Sequence, residues 1–324
     1  MKQLLTKKNL LFLAVIAAVY AVLFVLDAQG VFSRQAKALL VPIGINIILA
    51  VSLSLIVGFL GELSLGHAGF MSVGAYTGCM LTVHLDLPMY IELPLAMLMG
   101  GIVAAIFGVI IGIPALRLRG DYLAIVTLAF GEIIRSIFNN LSIVGGSGGL
   151  NGIPKYSNYT IVYIMLVITI IVITNLVNSR HGRAICSIRD NKIAAESMGI
   201  PVVYYKLLAF VVAAFFAGIA GVLYGHNLGI LKPSTFDFNK SIEILVMVVM
   251  GGMGSIPGSV VAALLITVLP EILRGLQDYR MLIYAVVLIV MMLLNNNAKF
   301  NNFKQRVFSK KAKKQGADLA KEGE

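Results

Sequence analysis

Charged residues are scarce in this sequence, and their scarcity decides the class of protein. Only 13% of the 324 residues are charged and 59% are hydrophobic, whereas a soluble domain has about 25% charged and roughly half apolar residues. Such a chain cannot bury its apolar surface in one aqueous core, so lipid must be the solvent for much of it. Acidic residues are fewer still, 15 against 26 basic ones. In a chain of this class, that excess indicates membrane topology rather than nucleic-acid binding.

Three further features are absent or rare. The two cysteines, Cys79 and Cys186, have no CxxC spacing, so neither a disulfide framework nor a metal site is indicated. No GxxxxGK[ST] motif occurs anywhere, so the chain has no Walker-type cradle for ATP. Tryptophan is missing, but tyrosines stand at the ends of predicted segments, as interfacial aromatics do.

Long apolar runs predict membrane-spanning helices, which need about 20 mostly apolar residues each. The clear candidates are Leu10–Leu26, Ala38–Leu60, Leu93–Ile113, Tyr159–Asn178, Tyr205–His226 and Tyr279–Leu294. Two weaker candidates, Ser64–Leu85 and Asp121–Leu141, carry polar residues that must face protein or water. We interpret the first run as an uncleaved helix rather than a signal peptide.

A glycine- and proline-rich stretch interrupts the next apolar region. Ser241–Met253 is too short to span a bilayer, and Gly258–Arg274 follows it. Irregular backbone at membrane depth is tolerated only against protein or a wet cavity. We therefore expect two short helices that dip in and return. Their predicted break is marked by Gly251, Gly252, Gly254, Pro257 and Gly258.

Basic residues set the orientation. With the N-terminus inside, the predicted cytoplasmic segments hold 18 of the 26 basic residues and the opposite loops hold seven, as the positive-inside rule requires. The sequence thus predicts an all-α, polytopic helical bundle of about ten membrane segments with both termini cytoplasmic. Its parts are a tail at 1–9, a transmembrane domain at 10–294 with a cytoplasmic loop at 179–204, and a basic tail at 295–324 facing solvent or lipid headgroups.

Polar residues inside the predicted spans are the first functional candidates. Glu132 and Arg135 stand one helical turn apart, which favours mutual pairing, although a proton-relay carboxylate is the alternative. His67 either lines a path or bonds between helices. The hydroxyls that could line an aqueous route belong to Ser64, Ser72, Tyr76 and Thr77. Glycines of the same regions, such as Gly74 and Gly218, predict close helix packing.

The loop at 179–204 is too polar to span the membrane and too regular for a linker. Ala184–Met198 predicts one helix, with Gly199 placed at its C-terminal stop. Ile185, Ile188 and Ala195 share a face. The helix either docks a cytoplasmic partner or lies among lipid headgroups, and the pattern alone leaves both open. Gly145–Gly152, on the opposite side, predicts a flexible external loop.

Five stretches in order resemble the permease subunits of bacterial ABC importers for branched-chain amino acids, in particular the larger of two paired permeases. They cover about 40–295, most of the chain, and the combination is specific although each piece alone is not. They are Gly61–Phe70, Leu118–Arg135, Gly145–Pro154, Gly182–Ile200 and Val249–Gly258. Permeases for urea and short amides share much of the pattern and stay an alternative for the substrate. A proton-coupled secondary transporter using Glu132 is a further alternative.

The resemblance implies a chain with no catalytic residue and no cofactor of its own, because ATP would bind on a partner. The implied partners are a second permease chain, two cytoplasmic ATPases and an extracytoplasmic binding protein at the loops 145–159 and 228–240. The implied location is the bacterial inner membrane, with lipid around the spans and no nucleic acid. The ATPase-coupling residues would be Arg183, Ala184, Arg189, Asp190, Asn191, Ala194, Ala195 and Gly199.

Overall fold

The computed structural model describes residues 34–273, apart from 86, 116, 117 and 119, together with 286 and 289. The predicted span Leu10–Leu26 and both predicted tails lie outside the described residues, as does Tyr279–Leu294 apart from those two positions. The chain divides into two compact units, 1–268 and 269–324. The candidate site lies in the first.

Helices dominate the described part of the chain, as the sequence predicts. They are α1 Arg34–Ser54, α2 His67–His84, α3 Met89–Ala115, α4 Asp121–Asn140, α5 Tyr159–Asn178, α6 Arg180–Asp190, α7 Lys192–Ser197, α8 Val202–Leu228, α9 Phe238–Gly251 and α10 Ile256–Ile272. A π-helical segment, Leu55–Leu60, continues α1, and short 3-10 turns form at Ser142–Val144, Gly146–Gly148 and Pro233–Phe236. The strands β1 Leu150–Asn151 and β2 Ile230–Leu231 pair antiparallel.

Four described helices are long and apolar enough to cross a membrane: Lys37–Leu60, Met89–Pro114, Tyr159–Asn178 and Val202–Leu228. The last has 27 residues, about 40 Å at 1.5 Å per residue, more than the roughly 30 Å hydrocarbon core. These four match clear predictions. The weaker candidates are also helical, as α2 and α4, so a multi-pass helical membrane fold is confirmed.

Glycines let α2, α3 and α8 pack with their backbones in contact. Gly74 of α2 faces the backbone of Gly218 in α8, and a Cβ at Gly100 of α3 would lie 2.7 Å from the Gly74 carbonyl oxygen. A Cβ at Gly78 would lie 2.8 Å from the carbonyl oxygen of Ala96. Only hydrogen fits at such crossings. The predicted close-packing faces are confirmed, and Gly100 adds to them.

The two short helices lie beside α1 and meet it at two levels. Lys240, near the start of α9, donates to Asn46 Oδ1 at 3.1 Å, and Asn46 Nδ2 donates to Thr267, near the end of α10, at 2.9 Å. The break between the helices instead contacts Gly58, since a Cβ there would lie 2.5 Å from Gly254 N. Gly58 lies about 18 Å along α1 from Asn46 at 1.5 Å per residue. The chain therefore goes down along α1 and returns, as predicted.

The break itself is shorter than predicted. Gly251 ends α9, Gly252 and Gly254 have φ of 90° and 81°, and α10 begins at Ile256. Pro257 and Gly258 therefore belong to the first turn of α10 rather than to the break. Proline fits in a first helical turn because its missing N–H has no intrahelical partner there. Gly258 packs directly on the backbone of Gly251.

The end of the first unit that carries β1 and β2 is called the strand end here. The glycine-rich stretch, for which the sequence predicts a flexible loop, contains the 3-10 turn Gly146–Gly148 and the strand β1. Gly145, Gly146, Gly149 and Gly152 have φ of 83°, 55°, 84° and 79°, in the left-handed region that glycine alone adopts freely. The two predicted loops, 145–159 and 228–240, are joined through the β1–β2 pair.

Candidate functional site

The polar loop forms two short helices, not the single helix predicted. Asn191 separates α6 from α7 with φ −157° and ψ 105°, and its side chain accepts from Ala194 N at 3.0 Å. Asparagine is a strong N-cap, so it starts α7 and ends α6 at once. Ser179 caps α6 by accepting from Gly182 N at 3.3 Å. Gly199, with φ 77°, follows α7 as predicted.

One face of this helix pair packs on its own chain. Ile185, Ile188 and Ala195 are 0%, 4% and 4% exposed, so the predicted shared face is confirmed. Ala195 is one of the predicted coupling residues, but its methyl group is buried within the chain, so it does not belong to the exposed surface of the helix pair.

The opposite face is open. Among the predicted coupling residues, Arg183, Asp190, Asn191, Ala194 and Gly199 are exposed, and Ala184 is half-buried. Ile193 and Met198 of the same face are 77% and 81% exposed. The sequence prediction missed these two, although apolar residues in a polar loop are a usable signal. Burial raises the pKa of the half-buried Cys186 thiol; Arg189 opposes this shift and Asp190 adds to it.

Arg189 connects this surface to the membrane helices. Its Nη1 donates to the carbonyl oxygen of Gly58 in the π-helical segment at 3.2 Å, while Nε and Nη2 donate to Asp190 Oδ1 at 3.1 and 3.0 Å. Its side chain also lies against Gly61 and Gly254. The guanidinium thus meets the end of α1 at the level where α9 and α10 break. The sequence predicted Arg189 as an ATPase-coupling residue and did not predict this contact.

A buried ion pair lies at the same end. The Lys206 ammonium near the start of α8 bonds to Glu62 Oε1, and the two side chains are 2% and 16% exposed. Glu62 lies in the irregular segment before α2, which begins only at His67, so it pairs with Lys206 rather than capping that helix.

The predicted path residues on α2 and just before it are buried within this chain. Ser64, His67, Ser72 and Tyr76 are each at most 1% exposed, so they do not face an open aqueous route in this conformation. Ser52 Oγ donates to Leu49 O and contacts His67 Nε2 at 2.9 Å. Among the described residues, Ser64 Oγ, His67 Nδ1 and Ser72 Oγ have no hydrogen-bond partner.

Tyr76, Thr77, Glu132 and Arg135 all make interactions of their own within the chain. Tyr76 donates to Leu231 O of β2 at 3.2 Å and stacks on Phe138, with ring centroids 4.2 Å apart. The Thr77 hydroxyl bonds to its own helix backbone. Glu132 and Arg135 pair with each other at 2.6 Å, as predicted, but their side chains are 36% and 41% exposed. They form a half-exposed pair on α4 rather than a buried one.

A cavity of about 430 Å³ opens at the strand end, and no sequence prediction pointed to it. Glu92 lines it, together with Thr82, Tyr156 and the segment that follows β1. Glu92 is 1% exposed, and its Oε1 has no hydrogen-bond partner among the described residues. His226 stands behind the wall and donates from Nδ1 to Pro154 O at 2.7 Å. We call this space the strand-end cavity.

Comparison with known proteins finds one family of transport permeases. Residues 35–294 match the family described as the branched-chain amino acid transport system / permease component. The chain is 37% identical to the high-affinity branched-chain amino acid transport system permease protein LivM of Escherichia coli (strain K12), over 77% of this chain and 66% of LivM. No solved structure matches.

Two more distant relatives are transport permeases as well. Identity is 27% to the ribose import permease protein RbsC of Haemophilus influenzae, over 78% of this chain and 82% of RbsC. It is 23% to the permease protein LivH of Salmonella typhimurium, over 68% of this chain and 79% of LivH.

Proposed function

Because the chain belongs to the branched-chain amino acid transport system / permease component family, we propose that it is one permease subunit of an ABC importer. The substrate is a branched-chain or similar hydrophobic amino acid, and the membrane is the bacterial inner membrane. The chain itself performs no covalent step. It supplies helices whose arrangement alternates, while ATP is hydrolysed on partner subunits.

The observation that carries the proposal is the Arg189 connection between the α6–α7 surface and α1. A partner that docks on an exposed helix pair can act on membrane segments through the contacts that join the two. Arg189 is such a link, since it touches both the docking helix pair and the level of the α9–α10 break. A helix pair lying passively among lipid headgroups needs no such bond.

The exposed apolar side chains of this surface support protein docking. Ile193 and Met198 lie next to the exposed Asp190, Asn191 and Ala194. Apolar anchors surrounded by polar groups are typical of protein interfaces. We propose that a cytoplasmic ATPase docks on this surface and that the complete importer contains two such ATPases. A second, similar permease lies beside the chain.

The strand end is then the external side, and the β1–β2 platform receives an extracytoplasmic binding protein. The strand pair joins the loops 145–159 and 228–240, so both loops present one surface to a partner. Both chain termini are cytoplasmic under this orientation, and lipid surrounds the spans.

The substrate assignment follows the LivM likeness, which is stronger than the likeness to RbsC. Urea and short amides remain the second candidate class, on the sequence pattern described above. A binding protein encoded with this chain would discriminate them: it should bind leucine, isoleucine or valine, and not ribose or urea.

The experiment is uptake by the complete transporter, reconstituted with its partner permease, ATPases and binding protein. Labelled leucine should enter only with ATP present, and a protonophore at constant ATP should leave uptake unchanged. Uptake driven by a proton gradient without ATP would overturn the proposal in favour of a secondary transporter. Glu132, which forms an ion pair with Arg135, would then be the first residue to mutate.

A further inference from the structure

Glu92 is a buried carboxylate whose position calls for a cationic ligand. It is 1% exposed, its Oε1 has no hydrogen-bond partner among the described residues, and it lines the strand-end cavity. Removing an ionised carboxylate from water is costly unless a cation or donor compensates. The compensating group is therefore expected to come from the cavity.

The start of a helix explains part of this arrangement but not all of it. Glu92 lies in the first turn of α3, where the helix dipole stabilises a negative charge. A carboxylate needed only for that interaction would stay at the solvated surface. Exposed neighbours in the same turn, Tyr90 at 88% and Ile91 at 59%, show that the surface is available there. Glu92 is instead the residue of this turn that faces inward.

The opposite wall is held in place by a chain of contacts. His226 of α8 donates to Pro154 O at 2.7 Å, so its Nε2 is the ring acceptor, and this atom lies 3.4 Å from the Thr82 hydroxyl. The Tyr156 ring stacks on His226, with centroids 5.5 Å apart. These contacts fix the distance between α2, α8 and the segment after β1. This wall of the cavity is therefore built from packed and hydrogen-bonded side chains.

The lining selects the kind of cation. The cavity surface is mostly polar, and Val83, Leu85 and Leu87 lie at its edge. Among the described residues, no group of three or more His, Cys, Asp or Glu could hold a metal ion. One unpaired carboxylate in a polar cavity fits the ammonium group of an amino acid better than it fits a metal ion.

We infer that the strand-end cavity is a substrate subsite in which Glu92 is the counter-ion of the α-ammonium group of an aliphatic amino acid. The inference rests on the proposed function and refines it. An incoming substrate released at the β1–β2 platform would meet this cavity first. Glu92 would then favour zwitterionic amino acids over anionic acids and neutral sugars of similar size.

The test uses the complete reconstituted transporter with Glu92→Gln, which keeps the shape and removes the charge. Leucine uptake should fall roughly tenfold or more, as expected when a buried charge contact loses one partner. Binding-protein-stimulated ATP hydrolysis should persist, because Glu92 is a buried residue of α3 and lies outside the loops 145–159 and 228–240 that receive the binding protein. Glu92→Asp, which keeps the charge, should recover part of the uptake. The matched control is Glu243→Gln, which also removes one carboxylate. Its partner Lys240 keeps the hydrogen bond to Asn46 Oδ1 at 3.1 Å, so uptake should stay close to that of the wild type.

A chemical probe separates an ammonium site from other roles. The cation 3-methylbutylamine should inhibit leucine uptake by the wild type and lose this effect in Glu92→Gln, while the anion 4-methylpentanoate should inhibit neither. A prior titration must show that the amine does not bind the binding protein. Equal inhibition of both variants, or normal uptake by Glu92→Gln, overturns the inference.

Two other outcomes would overturn the inference for different reasons, and a third would overturn the proposed function instead. Uptake that depends on sodium in the wild type but not in Glu92→Gln would identify a metal-cation site and overturn the ammonium assignment. Loss of ATP hydrolysis together with uptake would show that Glu92 is needed for assembly, and would also overturn it. If the wild-type complex itself fails to take up leucine, the proposed function is what has failed.

Discussion

Arg189 Nη1 donates to the carbonyl oxygen of Gly58, 131 residues earlier in the chain, at 3.2 Å. This carbonyl belongs to a π-helical segment in which all six residues are buried. π-Helical turns leave backbone groups irregularly paired and occur often at functional positions. The bond therefore ties the exposed α6–α7 surface to a π-helical segment that continues α1.

The first prediction follows from this bond. Arg189→Ala should lower ATP-driven leucine uptake while the ATPases stay bound and continue to hydrolyse ATP. A hydrogen bond from a charged group contributes about 1.5–3 kcal/mol, and the lower half applies because the side chain is 39% exposed. The expected loss in uptake is thus roughly tenfold. Arg189→Lys should also fail, since one ammonium cannot replace the guanidinium fork. The ratio of leucine transported to ATP hydrolysed measures the effect.

Lys192→Ala provides the control for that experiment. Lys192 is basic, lies in the same segment and makes only a 3.8 Å surface pair with Glu196, which contributes little. Its transport ratio should match the wild type. Dissociation of the ATPases from Arg189→Ala would contradict the prediction, because Arg189 would then act in docking itself.

A second prediction concerns Lys206 and Glu62. Lys206→Met leaves a carboxylate without its buried partner, which should destabilise the chain by about 3–5 kcal/mol. The double variant Lys206→Met with Glu62→Gln removes both charges and should recover much of that loss. Thermal unfolding of the purified chain in detergent measures the difference. For comparison, Lys192→Met in the exposed pair should change stability little. A double variant less stable than Lys206→Met would show that the charges do not act as a pair.

The periodic and compositional features of the fold could be predicted from sequence because lipid imposes them locally. Apolar runs of spanning length mark α1, α3, α5 and α8, and glycine clusters mark the backbone crossings and the α9–α10 break. The glycine at 199 stops α7 for a local reason, its positive φ. Each of these depends on a few neighbouring residues, so the sequence carries the signal directly.

The side-chain partners could not be predicted, because they depend on which helices meet. Lys206 looks like a cytoplasmic surface lysine until Glu62 is found beside it. Glu92 looks like a helix-start carboxylate, and only the packing of α2, α3 and the segment after β1 places it in a cavity. Asn191 breaks a helix that composition alone would continue. Burial of Ala195 likewise follows from packing of α7 on its own chain.

The third prediction uses two adjacent alanines with opposite environments. Ala194 is exposed and Ala195 is 4% exposed. Ala194→Trp should leave the chain folded and prevent ATPase copurification, because the bulky ring occupies the docking surface. Ala195→Trp should instead destabilise the chain itself, by about 1–3 kcal/mol or more through overpacking. If Ala194→Trp accumulates normally in the membrane and still binds the ATPases and transports leucine, the exposed face of α7 is not part of the interface.

The last prediction concerns orientation, which engineered cysteines can report. Gly148→Cys at the strand end has open space around its Cβ, and Ile193→Cys replaces a side chain that is 77% exposed on α7. A membrane-impermeant maleimide should label Gly148→Cys in intact cells and Ile193→Cys only after permeabilisation.

The native thiols should give little background at neutral pH. Cys79 is buried, and burial raises the pKa of Cys186, so less of the reactive thiolate is present. Because the pKa is raised, background from Cys186 should grow as the pH is increased, and labelling should therefore be done near neutrality. Labelling of Ile193→Cys in intact cells, with Gly148→Cys protected, would reverse the orientation. The α6–α7 surface would then lie outside, where no ATPase could reach it.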